Sequence, residues 1–243
     1  MSELFSIQLQ NRQQQGRDGV WLDLPTTTEQ VQAALRQIGI SSDNPQGLFI
    51  SGYFAEEEKR FAIPYNMVLA SNVDELNFLA SRLETLSTGE RAELNAALQA
   101  PQSELFSIGR ITDFPENVDY YVHLPDVHGP AQLGDYYLNR SGMVDMPEEW
   151  KGGIDTAQFG RYVAQQEQGA FTQYGYLVKS GDEWQKVHEG QPVPEEYRVM
   201  TFQDDIPEEE ISEWAMDLAY DMDEFFRQND PQYAAEHPEE HAA

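Results

Sequence analysis

The chain has 243 residues, 43 of them acidic and 15 basic, which gives a formal charge of −28, and it contains no cysteine. These numbers exclude disulfide and thiolate chemistry, and they favour basic proteins over nucleic acid or anionic membranes as partners. No apolar run approaches the roughly 20 residues that cross a bilayer, and no secretory signal is visible, so a soluble cytoplasmic protein is expected. Residues 1–180 carry 24 acidic and 12 basic side chains, whereas residues 181–243 carry 19 and 3.

The first part of the chain predicts three strands and a helix. Residues 5–10 alternate apolar and polar side chains, which is the period of a half-buried strand, and residues 19–24 do the same up to Pro25. Residues 28–38 have helical spacing, and residues 47–50 form a short apolar run typical of a strand. A small sheet packed against one helix is therefore expected.

Residues 71–101 predict a helical hairpin. The first helix begins at Ser71, with Asp74 three residues later as in a capping box, and the second begins at Ser87 with Glu90. Pro101 ends the second helix. The first helix carries an apolar stripe at spacings of three and four: Val73, Leu76, Leu79, Leu83 and Leu86.

The hexapeptide SELFSI occurs twice, at residues 2–7 and at residues 103–108. The first copy continues into the alternation of the first strand. In the second copy the apolar side chains are three residues apart, with Ser103 placed to cap a helix and Pro115 to end it. We therefore predict a strand at the first copy and a helix at the second, and interpret the repeat as coincidence.

The later elements follow from the same patterns. They are, in chain order, a strand at 118–124, helices at 131–140 and 157–166, a hairpin of strands 171–179 and 183–188, and a strand at 197–202. Residues 207–227 predict a long acidic helix, and the tail from residue 229 has the composition of a disordered segment.

The predicted acidic helix has two distinct edges. One is apolar, and we expect it to dock on its own protomer or on a dimer mate: Ile211, Trp214, Leu218, Met222 and Phe225. The other carries a carboxylate about every 5–6 Å, within a factor of two of the phosphate spacing of a DNA strand. These carboxylates are Glu210, Glu213, Asp217, Asp221 and Glu224. A solvated face is the simpler interpretation of that edge taken alone.

No motif of catalysis or cofactor binding is present. The chain has no Walker loop, no dinucleotide-binding glycine pattern and no G-x-S-x-G. His123 and His128 flank Asp126, but without a third strong ligand at fixed spacing polar residues at a strand end are the better interpretation. A hydrolase could use two of the many carboxylates, although none is singled out locally. We expect no enzyme activity, no cofactor and no metal.

Four stretches, in this order, carry a resemblance to a known family. They are "VWLDLP" at 20–25, "VDELNFLASRLETL" at 73–86, "LGDYYLNRSGMVDMPEEW" at 133–150 and "IDTAQFGRYVAQQEQGAFTQYGYL" at 154–177. The last resembles the C-terminal signature of the ArdA antirestriction proteins, an I-D-x-x-x-[FY]-G-R segment followed by a G-x-F-x-x-x-G-[YIF] strand. The resemblance covers roughly residues 5–178.

The resemblance implies a fold and a function. ArdA proteins are elongated α+β proteins of three small domains, carried by conjugative plasmids and transposons. They dimerise and imitate bent B-form DNA with rows of carboxylates, which occupy the DNA-binding groove of type I restriction-modification enzymes. For this chain we expect an α+β domain at 1–66, a helical hairpin at 67–101, a second α+β domain at 102–180 and an acidic strand-and-helix extension at 181–243.

The same resemblance implies two sets of site residues. The carboxylates expected to replace phosphates lie in the hairpin and at the start of the third domain: Asp74, Glu75, Glu84, Glu90, Glu93, Asp113, Glu116, Asp119, Asp126 and Asp135. The family's antirestriction motif, at its dimer interface, corresponds to residues 142–155, where Met146, Pro147 and Trp150 are the expected apolar contacts. An acidic protein of the same fold that binds another basic DNA-binding protein is the alternative.

Overall fold

Two small antiparallel sheets and eight α-helices form the described part of the chain, which comprises residues 4–14, 18–41, 45–56, 61–101 and 103–200 of a computed structural model. The mixed α+β class expected from the sequence is confirmed. The division into four segments at residues 66, 101 and 180 remains a prediction. The predicted acidic helix at 207–227 and the tail from residue 229 lie outside the described residues.

The first sheet consists of β1 (Phe5–Asn11), β2 (Val20–Leu24) and β3 (Leu48–Phe54), in the order β2-β1-β3. The alternation predicted for β1 is confirmed, because Ile7 and Leu9 are fully buried between half-buried polar neighbours. Helix α1 (Thr28–Gln37) follows β2 and begins at a capping box. The third strand is longer than the apolar run at 47–50 that predicted it.

The helical hairpin is confirmed as α3 (Val73–Glu84) and α4 (Thr88–Gln99). Ser87 and Glu90 cap α4 reciprocally, as the sequence predicts. The cap of α3, however, is one residue later than predicted and pairs Asn72 with Glu75. Ser71 cannot fill that role because it closes a short helix that the sequence did not predict, α2 (Tyr65–Leu69), by donating to the Met67 carbonyl at 2.8 Å.

The second SELFSI copy is not a helix, which corrects the prediction. Helix α5 (Ile108–Thr112) starts only at its last residue, and Ser107 rather than Ser103 provides the cap. Leu105 is buried, and the carboxylate of Glu104 forms ion pairs with Arg110 and Lys179. These tertiary contacts stabilise an irregular conformation before α5. The described residues of the first copy include three of strand β1, so the two copies differ in structure.

The second sheet consists of β4 (Tyr121–Leu124), β5 (Ala170–Thr172) and β6 (Gly175–Lys179), in the order β4-β6-β5. The sequence predicted one strand over 171–179, but a turn at residues 173–174 divides it, and Gly175 follows with φ of +119°. Such a backbone conformation is open to glycine and strained for other residues. Residues 118–120 are a 3₁₀ turn, not the start of β4.

Three helices accompany this sheet: α6 (Pro130–Asn139), the short α7 (Glu148–Lys151) and α8 (Thr156–Glu167). Helices α6 and α8 approach closely at two glycines. A Cβ added at Gly134 would lie 1.9 Å from the Thr156 carbonyl oxygen, and one at Gly160 would lie 1.8 Å from the Pro130 oxygen. Any larger residue there would separate the helices.

Residues 183–200, which we call the C-terminal strap, contain no strand, contrary to the predictions for 183–188 and for the described part of 197–202. Side chains replace the missing strand partners. Asp113 accepts hydrogen bonds from the backbone N–H groups of residues 187, 188 and 189 at 3.2, 2.6 and 3.1 Å. Asn117 exchanges two hydrogen bonds with the Gln185 backbone, at 2.7 and 2.9 Å.

The end of the strap is held on α3 in the same way. One oxygen of Asp74 accepts hydrogen bonds from the N–H groups of Val199 and Met200 at 2.7 and 2.9 Å. Asn77 donates to the Tyr197 carbonyl at 2.9 Å. Because backbone groups without partners are costly to bury, these side chains are what allows an irregular segment to lie against the core.

We predict that Asp113→Asn lowers the free energy of unfolding by about 2–4 kcal/mol, because an amide offers one acceptor oxygen where the carboxylate offers two. Urea denaturation measures this difference. Asp126→Asn, an exposed change of the same chemistry, is the control and is expected within about 0.5 kcal/mol of the parent. Equal stability of both variants would contradict the role of Asp113.

Candidate carboxylate surface

Two of the ten carboxylates expected on a charged face are buried. Asp74 is 1% exposed and Asp113 is 0% exposed. The prediction that they lie at the surface is therefore wrong, because both carboxylates accept hydrogen bonds from backbone N–H groups of the C-terminal strap. No local pattern indicates this burial, since the strap residues that bind the two aspartates lie more than 70 residues later in the chain.

A third carboxylate, Glu93, is placed so that it carries little charge at neutral pH. It is half-buried on α4, and one of its oxygens is buried without a hydrogen-bond partner. Burial, followed by the nearby carboxylates of Glu90 and Asp119, raises the pKa of Glu93 to about 8. The structure therefore brings these three predicted residues together, but it keeps the middle one largely protonated.

The other seven predicted carboxylates are half-buried or exposed, and we call them the carboxylate surface: Glu75, Glu84, Glu90, Glu116, Asp119, Asp126 and Asp135. Two of them also cap the N-termini of helices. Glu75 accepts from the N–H of Asn72, and Glu90 accepts from that of Ser87 at 2.7 Å. The hydrogen bonds from Ser87 lower the pKa of Glu90, which keeps it ionised.

Two members of the carboxylate surface are paired with arginine. Arg82 of α3 contacts Glu116, which lies in the 3₁₀ turn after α5, and Arg140 lies 3.0 Å from Asp135 on α6. Asp119 and Asp126 are exposed, in the 3₁₀ turn before β4 and in the loop after it. The surface therefore draws on α3, α4, α6, the turn after α5 and the two ends of β4.

Many basic side chains of the described part are used internally. The ion pairs join Arg82 to Glu116, Arg110 to Glu104 and Glu189, Arg140 to Asp135, Lys151 to Glu148, Lys179 to Glu104, and Lys186 to Glu189. Arg110 is also enclosed between the rings of Phe106 and Trp184, at 5.0 and 4.7 Å from their centres. The excess of acids over bases is thus further increased among the side chains that remain unpaired.

Sequence reasoning missed further exposed acids. One group surrounds Trp150, and the other lies on or beside the C-terminal strap: Asp145, Glu148, Glu149, Asp155, Asp182, Glu183, Glu195 and Glu196. Both groups occupy short polar connections with proline or glycine nearby. That composition is the signal that could have placed them at the surface, because connecting segments run over the outside of a protein.

The three residues expected at a dimer interface differ in exposure. Trp150 is 68% exposed on α7, Pro147 precedes that helix at the surface, and Met146 is half-buried. Met143 and Tyr162 are also exposed, by 74% and 60%. Met143 and Trp150 lie within the same short stretch of chain, and large apolar side chains exposed together are typical of an interaction site.

The described residues offer no obvious place for a metal. Within them no group of three or more histidine, aspartate or glutamate side chains is placed to hold an ion. His123 contacts the Tyr174 carbonyl at 2.7 Å, as a polar residue at a strand end. None of the described helices is long and apolar enough to cross a bilayer.

Residues 15–178 match the family of antirestriction proteins (ArdA). The match covers about two thirds of the 243 residues, so the chain belongs to this family of inhibitor proteins. Family membership implies an antirestriction function and an interaction with restriction-modification enzymes. No curated protein matches the chain. The C-terminal strap lies beyond the matched residues, although it completes the hydrogen bonds of two aspartates within them.

We predict that the stability gained by Glu93→Gln increases with pH. The folded chain holds the Glu93 proton up to about pH 8 whereas the unfolded chain releases it near 4.5, so the parent loses stability as pH rises between these values. One pKa unit corresponds to about 1.4 kcal/mol, and partial exposure reduces the expected change to on the order of 2 kcal/mol.

Urea denaturation at pH 5 and pH 8 measures this change. Glu29→Gln is the control: hydrogen bonding lowers the pKa of Glu29, so its effect is expected to be constant across that range. A Glu93→Gln effect that is also constant would show that Glu93 is ionised throughout.

Proposed function

We propose that this protein inhibits type I restriction-modification enzymes by presenting carboxylates in place of DNA phosphates. The observation that supports this proposal is the carboxylate surface, on a chain with charge −28 in which several basic side chains of the described part are held in ion pairs. A groove that binds DNA is basic because it contacts phosphates. An array of fixed carboxylates is attracted by the same groove and competes with DNA for it.

The proposed mechanism is collective. Each carboxylate on an exposed surface contributes only about 0.2–1 kcal/mol, so no single member is essential. Attraction between exposed charges is screened over about 8–10 Å at physiological salt, so inhibition weakens as salt is added. The buried aspartates Asp74 and Asp113 and the largely protonated Glu93 shape the surface without adding to its charge.

We predict that neutralising four members together weakens inhibition, with Glu84, Glu90, Asp119 and Asp126 changed to Gln or Asn. The loss is expected to be about 1–4 kcal/mol in total, while each single change costs less than about 1 kcal/mol. DNA cleavage by a purified type I enzyme, measured against inhibitor concentration at two salt concentrations, gives these values.

The matched control changes the same charge on the first sheet and its surroundings: Asp18, Asp23, Glu29 and Glu56, all exposed, to Asn or Gln. It is expected to retain inhibition better than the first variant. Equal losses would mean that net charge rather than a defined surface matters. An inactive parent that instead binds a basic nucleoid protein would support the alternative function, and one Asp→Asn change that abolishes all activity in a folded protein would point to catalysis.

We also propose that the protein forms a homodimer through the region around α7. The support is the exposure of Trp150 and Met143 within the segment, residues 142–155, that the family resemblance marks as an interface. Two copies related by a twofold axis would bury these apolar side chains against each other.

Trp150→Glu is therefore predicted to give monomers, because burying an unpaired charge costs several kcal/mol. Sedimentation velocity distinguishes the two states. Phe54→Glu introduces the same charge at an aromatic residue 55% exposed on the first sheet, and it is expected to leave the dimer intact. A Trp150→Glu protein that still sediments as a dimer would place the interface elsewhere.

A further inference from the structure

A cavity of about 550 Å³ opens between helices α2, α3 and α5 and the C-terminal strap. The strap provides residues 188–191 and 193 of its lining, so part of this cavity lies outside the residues that match the family. We call it the strap pocket. Its volume is large enough to accept a long side chain of a protein partner, and it is open to solvent.

Two phenylalanine rings contribute to the wall of the strap pocket, and one of them, Phe106, is exposed. Phe106 is 65% exposed, and Phe78 packs edge-to-face against His188 with ring centres 4.9 Å apart. The face of such a ring attracts a cation through its quadrupole. The protein already uses Phe106 in this way, because the Arg110 guanidinium lies 5.0 Å from its centre. The large exposed fraction of the ring remains available to a second cation.

The charges of the strap pocket have one sign. Its lining includes the carboxylates of Glu75 and Glu189 and no lysine or arginine. Glu189 is already near Arg110 and Lys186, at 3.8 and 3.4 Å. Arg110 is itself compensated, since Glu104 lies 3.4 Å from it on another side. Glu75 has no ion pair among the described residues, so its charge is the one left to attract a ligand.

We infer that the strap pocket binds the cationic side chain of an arginine or lysine presented by the protein partner. An exposed aromatic face, here that of Phe106, and a carboxylate without an ion pair in the described part of the chain, here that of Glu75, are the two groups that recognise such a side chain. This inference rests on the proposed function only for the identity of the partner, since a groove that binds DNA presents many arginine and lysine side chains. Unlike the carboxylate surface, the pocket contributes shape and desolvation as well as charge.

The binding chemistry is tested on the full chain with methylguanidinium, which carries the head group of arginine. NMR titration is expected to shift the resonances of Phe106 and Gly190 with a dissociation constant in the millimolar range, as expected for so small a ligand. Methylurea, a neutral molecule of nearly the same shape, is the matched probe. Equal shifts with both compounds, or none with methylguanidinium, would overturn the inference.

Two variants assign the interaction to its residues. Phe106→Leu keeps an apolar side chain but removes the ring, and Glu75→Gln removes the charge while glutamine can still cap α3. Each is expected to weaken methylguanidinium binding about twofold to fivefold. Phe54→Leu, at another exposed ring, is the control and is expected to bind as the parent does. Parent-like binding by both pocket variants would also overturn the inference.

The same variants separate this inference from the proposed function. If the parent inhibits a type I enzyme and Phe106→Leu inhibits as well as Phe54→Leu does, the strap pocket has no role in binding that partner and the inference in its full form is wrong. If the parent does not inhibit, the proposed function fails, and the methylguanidinium titration still decides whether the pocket binds a cationic side chain.

Discussion

A buried carboxylate that accepts three backbone N–H groups is the interaction on which the later half of the structure depends. Asp113 lies at the end of α5 and holds residues 187–189 of the C-terminal strap, while Asp74 holds its last two residues on α3. The strap has no strand partners of its own. Without these acceptors its backbone would have to remain in water, and the cavity it encloses would not exist.

Acidic residues therefore have two different roles in this fold. Some are removed from solvent and act as local substitutes for secondary structure, and others remain outside and give the chain its charge. The difference follows from neighbouring hydrogen-bond donors: Asp74 and Asp113 meet several, Glu93 meets none and keeps its proton, and Asp119 stays in water. A count of acids along the chain therefore overestimates the charge that a partner encounters.

Local patterns were sufficient to predict much of the fold. The alternation of β1, the stripe of α3 and the cap of α4 depend on residues within one or two turns of each other, and all were found. The second SELFSI copy depends on contacts with distant residues and was not. The split of 171–179 is local, a two-residue turn before Gly175, and the continuous run of strand-forming residues concealed it. The same distinction holds for the candidate site. The exposure of Asp126 is predictable because it lies in a loop, whereas the burial of Asp113 depends on a segment more than 70 residues later.

The two buried aspartates also connect the residues that match the family to a segment outside that match. The family match ends at residue 178, yet Asp74 and Asp113 are satisfied by backbone from residues 187–200. Loss of this segment would remove five backbone N–H donors, three from Asp113 and two from Asp74. A fragment that ends with the family match would therefore be less stable than the full chain, because Asp74 and Asp113 would lose these partners.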